Sequence, residues 1–114
     1  MERKNAVLEN SREFALLIIE FCEELEKRKK YVIAKQLLRS GTSIGANIHE
    51  AQSSESKADF IHKLKIAAKE AKETEYWFWL CKKSKNYPSP AELNDSLLSI
   101  QKLLSKIISS SKNH

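Results

Sequence analysis

The amino-acid sequence predicts an all-α fold, an antiparallel four-helix bundle with up-down-up-down connections. The 114 residues include only two glycines and two prolines. No alternating run of β-branched residues bounded by turn residues predicts a strand. Four segments instead repeat apolar residues every three or four positions, the period of an amphipathic helix. With 41% hydrophobic and 31% charged residues, residues 1–114 are expected to form a single domain that buries a real core.

The first helix is predicted over about residues 10–27. Asn10 or Ser11 could cap its start, because a short polar side chain accepts a hydrogen bond from a free backbone N–H. The buried stripe of this helix is expected to consist of Phe14, Leu17, Ile18, Phe21 and Leu25. Continuing the stripe would bury Arg28 or Lys29, so a turn is predicted at "EKRKK".

The second helix, predicted over about residues 30–53, contains both glycines in the stretch "RSGTSIGANIHEA". A phosphate-binding loop needs G-x-x-x-x-G-K-[ST] after a strand, whereas here no lysine follows the second glycine and no strand precedes the first. The apolar stripe continues through the glycines without a change of phase, at Ile33, Leu37, Leu38, Gly41, Ile44, Gly45, Ile48 and Ala51. We therefore predict one continuous helix. Its two glycines cost roughly 1 kcal/mol each relative to alanine and let a neighbouring backbone approach closely.

Two further helices complete the predicted bundle. The third, about residues 57–83, begins with a capping box formed by Ser56 and Asp59. Its core positions alternate spacings of four and three, as in a coiled coil: Phe60, Leu64, Ala67, Ala71, Thr74, Phe78 and Cys81. The loop "NYPSPAE" puts Pro90 at the first position of the fourth helix, about residues 90–110. That helix is expected to turn inward Leu93, Leu97, Ile100, Leu104 and Ile107.

The sequence lacks the usual catalytic and metal-binding motifs. "HEAQS" begins like the zinc motif H-E-x-x-H but has Ser53 in place of the second histidine. Only Asp59 and His62 come near the Glu-x-x-His motif of di-iron bundles, and no nucleophile elbow is present. Apolar neighbours of Cys22 and Cys81 favour two buried thiols over a disulfide or a reactive cysteine. We therefore expect no catalytic residue, no cofactor and no metal.

Targeting signals and charge give two further expectations. No apolar run approaches the roughly 20 residues of a transmembrane helix, and "MERKNAVLEN" lacks the apolar segment of a signal peptide. A cytoplasmic location without membrane contact is therefore expected.

The net charge of +5 arises in the second half of the chain. Residues 57–83 carry seven basic and four acidic side chains, and residues 84–114 carry four basic and two acidic side chains. This asymmetry favours an anionic partner.

A basic and aromatic stripe runs along the third helix. Its members recur every three or four residues: Lys65, Lys69, Lys72, Tyr76, Trp79 and Lys83. Lysines neutralise phosphates and aromatic rings stack on bases, so the stripe is the candidate surface for RNA or DNA. The alternative is a solvated face in which the aromatic residues pack between subunits, because one bundle cannot bury every side of "YWFW".

A second candidate surface combines small and polar residues of the second helix. Spacings of three and four residues put Ser40, Ser43, Asn47 and Glu50 on one face beside the glycines. We predict a helix–helix or subunit contact there, in which buried polar groups satisfy each other and fix the register. The candidate packing residues are Ser40, Gly41, Ser43, Gly45, Asn47, Glu50 and Trp77. A ligand or RNA contact and plain exposure are the alternatives for the polar line.

The segments "LLRSGTSIGANIHEA" and "DFIHKLKIAAKEAKETEYWFWL" resemble the bacterial four-helix-bundle family encoded in intervening sequences of 23S ribosomal RNA genes. Residues 40–47 match the signature of the family's second helix, and the signature of its third helix is matched by Glu70, Ala71, Glu73, Thr74, Tyr76 and Trp77. The resemblance implies a ring-like homo-oligomer, usually a pentamer, without established catalytic residues. The family is similar to the accessory variability protein of diversity-generating retroelements, a basic pentamer that works with a reverse transcriptase and nucleic acid.

These observations predict a non-enzymatic, homo-oligomeric bundle that contacts RNA or DNA through a basic surface. The alternative is a protein-interaction scaffold, or an accessory to a reverse transcriptase or RNA-processing enzyme. In that case the aromatic residues would bind protein and the lysines would only keep the surface soluble.

Overall fold

The computed structural model describes residues 5–112, which form four α-helices and no strand. Helix α1 spans Ala6–Lys27, α2 spans Tyr31–Ala51, α3 spans Lys57–Lys83 and α4 spans Ala91–Lys112. The predicted all-α class is confirmed across these residues. The predicted domain also includes residues 1–4 and 113–114, which lie outside the described residues.

Helix α1 begins earlier than predicted because its cap is Asn5, not Asn10 or Ser11. The Asn5 side-chain oxygen accepts a hydrogen bond from the backbone N–H of Leu8 at 3.2 Å. Ser11 therefore lies inside the helix, where its hydroxyl donates to the carbonyl oxygen of Leu8 at 2.9 Å. The added turn contributes Val7 to the core.

The buried face of α1 is rotated relative to the predicted stripe. Leu17 is 44% exposed, whereas Cys22 is buried together with Phe14, Ile18 and Leu25. The inclusion of Leu17 in the core was therefore wrong. This buried face is turned toward α2, because Ile18 packs against the α2 backbone at Gly41, which has no side chain.

Helix α2 runs unbroken through both glycines, neither of which has a positive φ. A Cβ atom at Gly41 would lie 2.9 Å from the Cγ1 and Cγ2 atoms of Ile18 in α1. A Cβ atom at Gly45 would lie 3.3 Å from the backbone oxygen of Ser11. Both distances are shorter than ordinary van der Waals contact. The segment is helix and not a phosphate-binding loop, and α1 packs on it more closely than a side chain at Gly41 would permit.

The four helices follow one another around the bundle, so that α1 lies diagonally opposite α3. The contacts between α1 and α2 run in opposite order along the two helices, so α1 and α2 are antiparallel. The contacts between α2 and α3 show the same for that pair. Helices α1 and α3 are therefore parallel. In the centre, the ring of Phe78 meets the rings of Phe14 and Phe21 edge-on, with centroids 6.3 Å apart in both pairs. The bundle measures 48 × 25 × 20 Å.

Replacing Gly45 with leucine is expected to destabilise the bundle. The new Cβ would already lie 3.3 Å from the Ser11 carbonyl oxygen, and the remaining atoms would push α1 away from α2. We expect the free energy of unfolding to fall by about 1–3 kcal/mol or more, as measured by urea denaturation. The control is Ala46→Leu on the exposed side of α2, which should change stability by less than about 0.5 kcal/mol. Equal stability of the two variants would contradict the close packing.

Candidate nucleic-acid interface

The predicted basic and aromatic stripe lies on the outer side of α3. All six of its side chains are exposed: Lys65, Lys69, Lys72, Tyr76, Trp79 and Lys83. The opposite side of the helix contributes Leu64, Ala67, Ala71 and Phe78 to the core. The stripe is therefore accessible to a partner along the length of the helix.

The structure divides this stripe. Lys72 lines a groove between α3 and α4, and Lys65 lies against Lys112 of α4. Tyr76 and Trp79, which are 54% and 55% exposed, do not line the groove. Tyr76 instead packs edge-on against Trp77, with ring centroids 5.2 Å apart. Lys65 and Lys72 thus lie on the side of α3 that faces α4, whereas Tyr76 and Trp79 are not among the residues that line the groove.

The groove between α3 and α4 combines an apolar floor with a basic border. It encloses about 670 Å³, and its apolar lining comes from Ala68, Leu98 and Ile108. Its lysines are Lys72, Lys102 and Lys112. Glu75 also lines it, at 3.8 Å from Lys72. That ion pair contributes little to stability because both side chains are at least half exposed.

Positive charges crowd one another at this groove. A hydrogen bond with Lys112 lowers the pKa of Lys65, and the charges of Lys112 and Lys69 lower it further. These like charges destabilise the charged form of Lys65, and a bound anion would relieve the repulsion. Lys102 and Lys112 were missing from the predicted site, because their proximity to α3 depends on how two helices pair. Their only signal in the sequence is the basic excess of residues 84–114.

Ser40 and Glu50 of the predicted polar line of α2 contact α3, and the line is largely satisfied within the chain. Ser40 is fully buried and accepts a hydrogen bond from the Thr74 hydroxyl at 2.9 Å. The Asn47 amide donates to the carbonyl oxygen of Ser43 at 2.9 Å. Glu50, which is exposed, accepts from Lys63 of α3 at 3.0 Å. The Ser40–Thr74 and Glu50–Lys63 contacts tie α2 to α3 at a defined register.

Beside that line, Arg39 of α2 bridges to two carboxylates of α3. It donates to Glu70 at 3.2 Å and to Glu73. Glu73 also accepts a hydrogen bond from the indole Nε1 of the half-buried Trp77 at 2.9 Å. Sequence reasoning missed Arg39, although it directly precedes the glycine-containing signature. The two signature segments therefore meet along the α2–α3 contact.

The two thiols are shielded by the core. Cys22 and Cys81 are buried and free. Burial raises the pKa of Cys22 to about 12, with smaller effects from Glu26 and Cys81, and raises the pKa of Cys81 to about 11. Both thiols are protonated at neutral pH and are poor nucleophiles.

Residues 5–112 contain no group of three or more His, Cys, Asp or Glu side chains that could hold a metal ion. Within the same residues, no helix is both long enough and apolar enough to cross a membrane.

Comparison with known proteins agrees with the signature segments. Residues 3–109 match the family described as "23S rRNA-intervening sequence protein". The chain belongs to this family. It is also similar to a crystal structure of a protein of unknown function from the S23 ribosomal protein family of Bacteroides thetaiotaomicron VPI-5482. The two chains are 47% identical, the match covers 90% of this chain and 97% of that one, and the TM-score is 0.85. No curated protein matches the chain.

The family resemblance seen in the sequence is thereby confirmed. Neither the family description nor that of the solved relative names a catalytic activity. The function of this chain therefore has to be argued from its own surfaces.

The raised thiol pKa values predict slow modification of the native protein. Relative to the ordinary value of 9.0, values of about 12 and about 11 lower the thiolate fraction by about 1000-fold and about 100-fold. A disulfide reagent should therefore label both cysteines much more slowly in the folded protein than in the urea-unfolded chain. Ser53→Cys, at an exposed position, is the control that should react quickly.

The same pKa values set the direction of an alkaline effect on stability. A thiol whose pKa is raised by folding stabilises the native state below its unfolded value and loses that contribution as pH rises. The free energy of unfolding should thus fall as pH rises above 9.0 toward about 12.

In the labelling experiment with the disulfide reagent, rapid reaction of both native thiols at neutral pH would contradict their burial.

Proposed function

We propose that the protein is a non-enzymatic, homo-oligomeric bundle of the cytoplasm that binds RNA or DNA along the groove between α3 and α4. The observation that carries the proposal is the lysine cluster Lys65, Lys72, Lys102 and Lys112. Glu75 is the one acidic side chain among the residues that line the described groove. The ring of five copies implied by the family resemblance is part of the same proposal.

The chemistry of the groove suits a phosphate backbone more than a specific base sequence. A lysine ammonium is a point charge that attracts phosphate and releases condensed counterions, but it lacks the planar fork with which arginine reads guanine. The apolar side chains of Ala68, Leu98 and Ile108 offer contact to sugars and bases without hydrogen bonds. Binding is therefore expected to be electrostatic, moderate in affinity and tolerant of sequence.

A second candidate function is a protein-interaction scaffold, or an accessory to a reverse transcriptase or RNA-processing enzyme. It is supported by the exposure of Tyr76, Trp79 and Leu98, the last of which is 51% exposed, since aromatic residues are enriched in protein interfaces. Recovery of the same protein partner after nuclease treatment would favour this candidate over nucleic-acid binding.

The proposal predicts a steep dependence of RNA affinity on salt. If four lysines neutralise four phosphates of a single strand, the affinity should fall by about 50-fold between about 50 mM and about 200 mM KCl, from a slope of about −0.7 per phosphate. Fluorescence anisotropy with a labelled single-stranded RNA oligonucleotide measures this slope. Absence of binding at the lower salt concentration, or binding indifferent to ionic strength, would refute the proposal.

Replacing the groove lysines should weaken RNA binding without unfolding the bundle. The test variant carries Lys65→Gln, Lys72→Gln and Lys102→Gln, and its salt slope should drop to that of about one phosphate contact. The control carries Lys27→Gln, Lys35→Gln and Lys85→Gln, which remove the same charge at exposed positions outside the groove. Equal loss of affinity in both variants would show that net charge, and not the groove, is responsible.

A further inference from the structure

The contact between α1 and α4 leaves a groove with an apolar floor on the surface of the bundle. Two depressions of about 480 Å³ and about 200 Å³ lie along it, and Leu17, which is 44% exposed, lines both. The larger apolar residues that line them with Leu17 are Phe14, Phe21, Pro90 and Leu93. The two depressions therefore join at Leu17 into one apolar strip, which we call the α1–α4 groove.

The α1–α4 groove follows both helices for about three turns. Its lining on α1 extends from Asn10 to Phe21, a length of ~16 Å at the helical rise of about 1.5 Å per residue. The depression that includes Phe21 takes residues 89–93 from α4, whereas the one that includes Asn10 takes Ser96 and Ser99. The two helices are therefore antiparallel, and the groove runs lengthwise between them.

Among residues 5–112, the charged side chains that line the α1–α4 groove are all acidic. They belong to Glu13, Glu20 and Glu92, and all three are exposed. None of these carboxylates forms an ion pair with another residue of the described range. In a chain with a net charge of +5, an apolar groove bordered by unpaired carboxylates is complementary to a cationic, partly apolar partner.

The α2–α3 contact shows how carboxylates of this chain are neutralised when both partners belong to the same bundle. There, Glu50 pairs with Lys63, and Glu70 pairs with Arg39. The α1–α4 contact has no such pair within residues 5–112. The cations that would complete it must therefore come from outside this part of the chain.

We propose that the α1–α4 groove binds a basic amphipathic helix of another protein. Glu13, Leu17 and Glu20 are spaced by four and three residues, so they share one side of α1. A helix laid along the groove would place one apolar stripe over Leu17 and would bring lysines or arginines on its flanks to the carboxylates. A segment of about 11 helical residues matches the length of the groove.

The same chemistry disfavours two other classes of ligand. A nucleic acid would bring its phosphates against Glu13, Glu20 and Glu92, and like charges repel. A small polyamine could neutralise the carboxylates but would leave most of the apolar floor in contact with water. A helix satisfies both the charge and the apolar surface, and burial of that surface supplies affinity that does not depend on salt.

The α1–α4 groove is separate from the α3–α4 groove of the proposed nucleic-acid function. The two have no lining residue in common within the described part of the chain, and their borders carry opposite charge. Binding of a basic helix therefore does not rest on nucleic-acid binding, and either can fail without the other. It gives the scaffold candidate a surface distinct from Tyr76 and Trp79.

A synthetic peptide of leucine and lysine tests the proposal. The labelled probe has about 14 residues, with leucine at every third or fourth position and lysine elsewhere, so that it forms a basic amphipathic helix. Fluorescence anisotropy with the unchanged protein at about 100 mM KCl should give a saturable curve with a Kd below about 100 μM. A peptide of the same composition, shuffled so that no apolar stripe forms, should bind at least about tenfold more weakly.

Two adjacent leucines of α1 provide a matched pair of variants for the apolar floor. Leu17→Ser should weaken binding of the peptide by about tenfold, because it removes the side chain that lines both depressions. Leu16→Ser is the control, since Leu16 is 65% exposed and lines neither depression, and it should change the affinity by less than about twofold. Both variants should keep thermal midpoints close to that of the unchanged protein, because both positions are exposed.

A second matched pair tests the carboxylates. Glu13→Gln combined with Glu20→Gln should weaken binding by about tenfold and flatten its dependence on salt. The control combines Glu9→Gln with Glu23→Gln, which remove the same charge at exposed positions of α1 outside the groove. This control should lose less than about twofold in affinity.

Five results would overturn the proposal. Four concern the peptide: no saturable binding below about 1 mM, equal affinity for the ordered and the shuffled peptide, equal effects of the two leucine variants, and equal effects of the two glutamate variants. The fifth concerns the mass of the protein in light scattering. If Leu17→Ser lowered that mass and Leu16→Ser did not, a second copy of the chain would occupy the groove in place of a basic helix.

Discussion

The close approach of α1 to α2 at two glycines is the constraint on which the rest of the bundle depends. Because Gly41 has no Cβ, Ile18 packs directly on the backbone of α2, and Ser11 lies against Gly45 one turn further along. Glycine lowers the stability of an isolated helix. The close packing of α1 on α2 must therefore offset the cost of the two glycines. It fixes the rotation of α1, and that rotation decides which apolar residues of α1 remain exposed on its outer side.

The surface properties follow from this rotation and from the apolar interior. Leu16 and its surrounding carboxylates remain on the outer side of α1, while the basic excess lies on α3 and α4 across the bundle. The same interior keeps Cys22 and Cys81 protonated and shielded. The described residues thus bury both thiols and display acidic and basic side chains on different sides of the bundle.

Helical periodicity was sufficient to predict the elements, because it is local information. The path of α2 through Gly41 and Gly45 and the buried line of α3 from Leu64 to Cys81 could both be read from spacing. The rotation of α1 could not, and neither could the proximity of Lys65 to Lys112 or of Arg39 to Glu73. Each of these depends on which helices are neighbours and how far each is turned, and a single sequence does not encode that at any fixed spacing.

The central claim is that Ile18 fills the space left by Gly41, and a double-mutant cycle tests it most directly. Gly41→Ala should destabilise the unchanged protein, because its Cβ would lie 2.9 Å from Ile18. In the Ile18→Ala background that conflict is gone, and the same change should stabilise the bundle by up to about 1 kcal/mol through helix propensity. Urea denaturation of the four proteins gives the coupling energy. An equal effect of Gly41→Ala in both backgrounds would contradict the account.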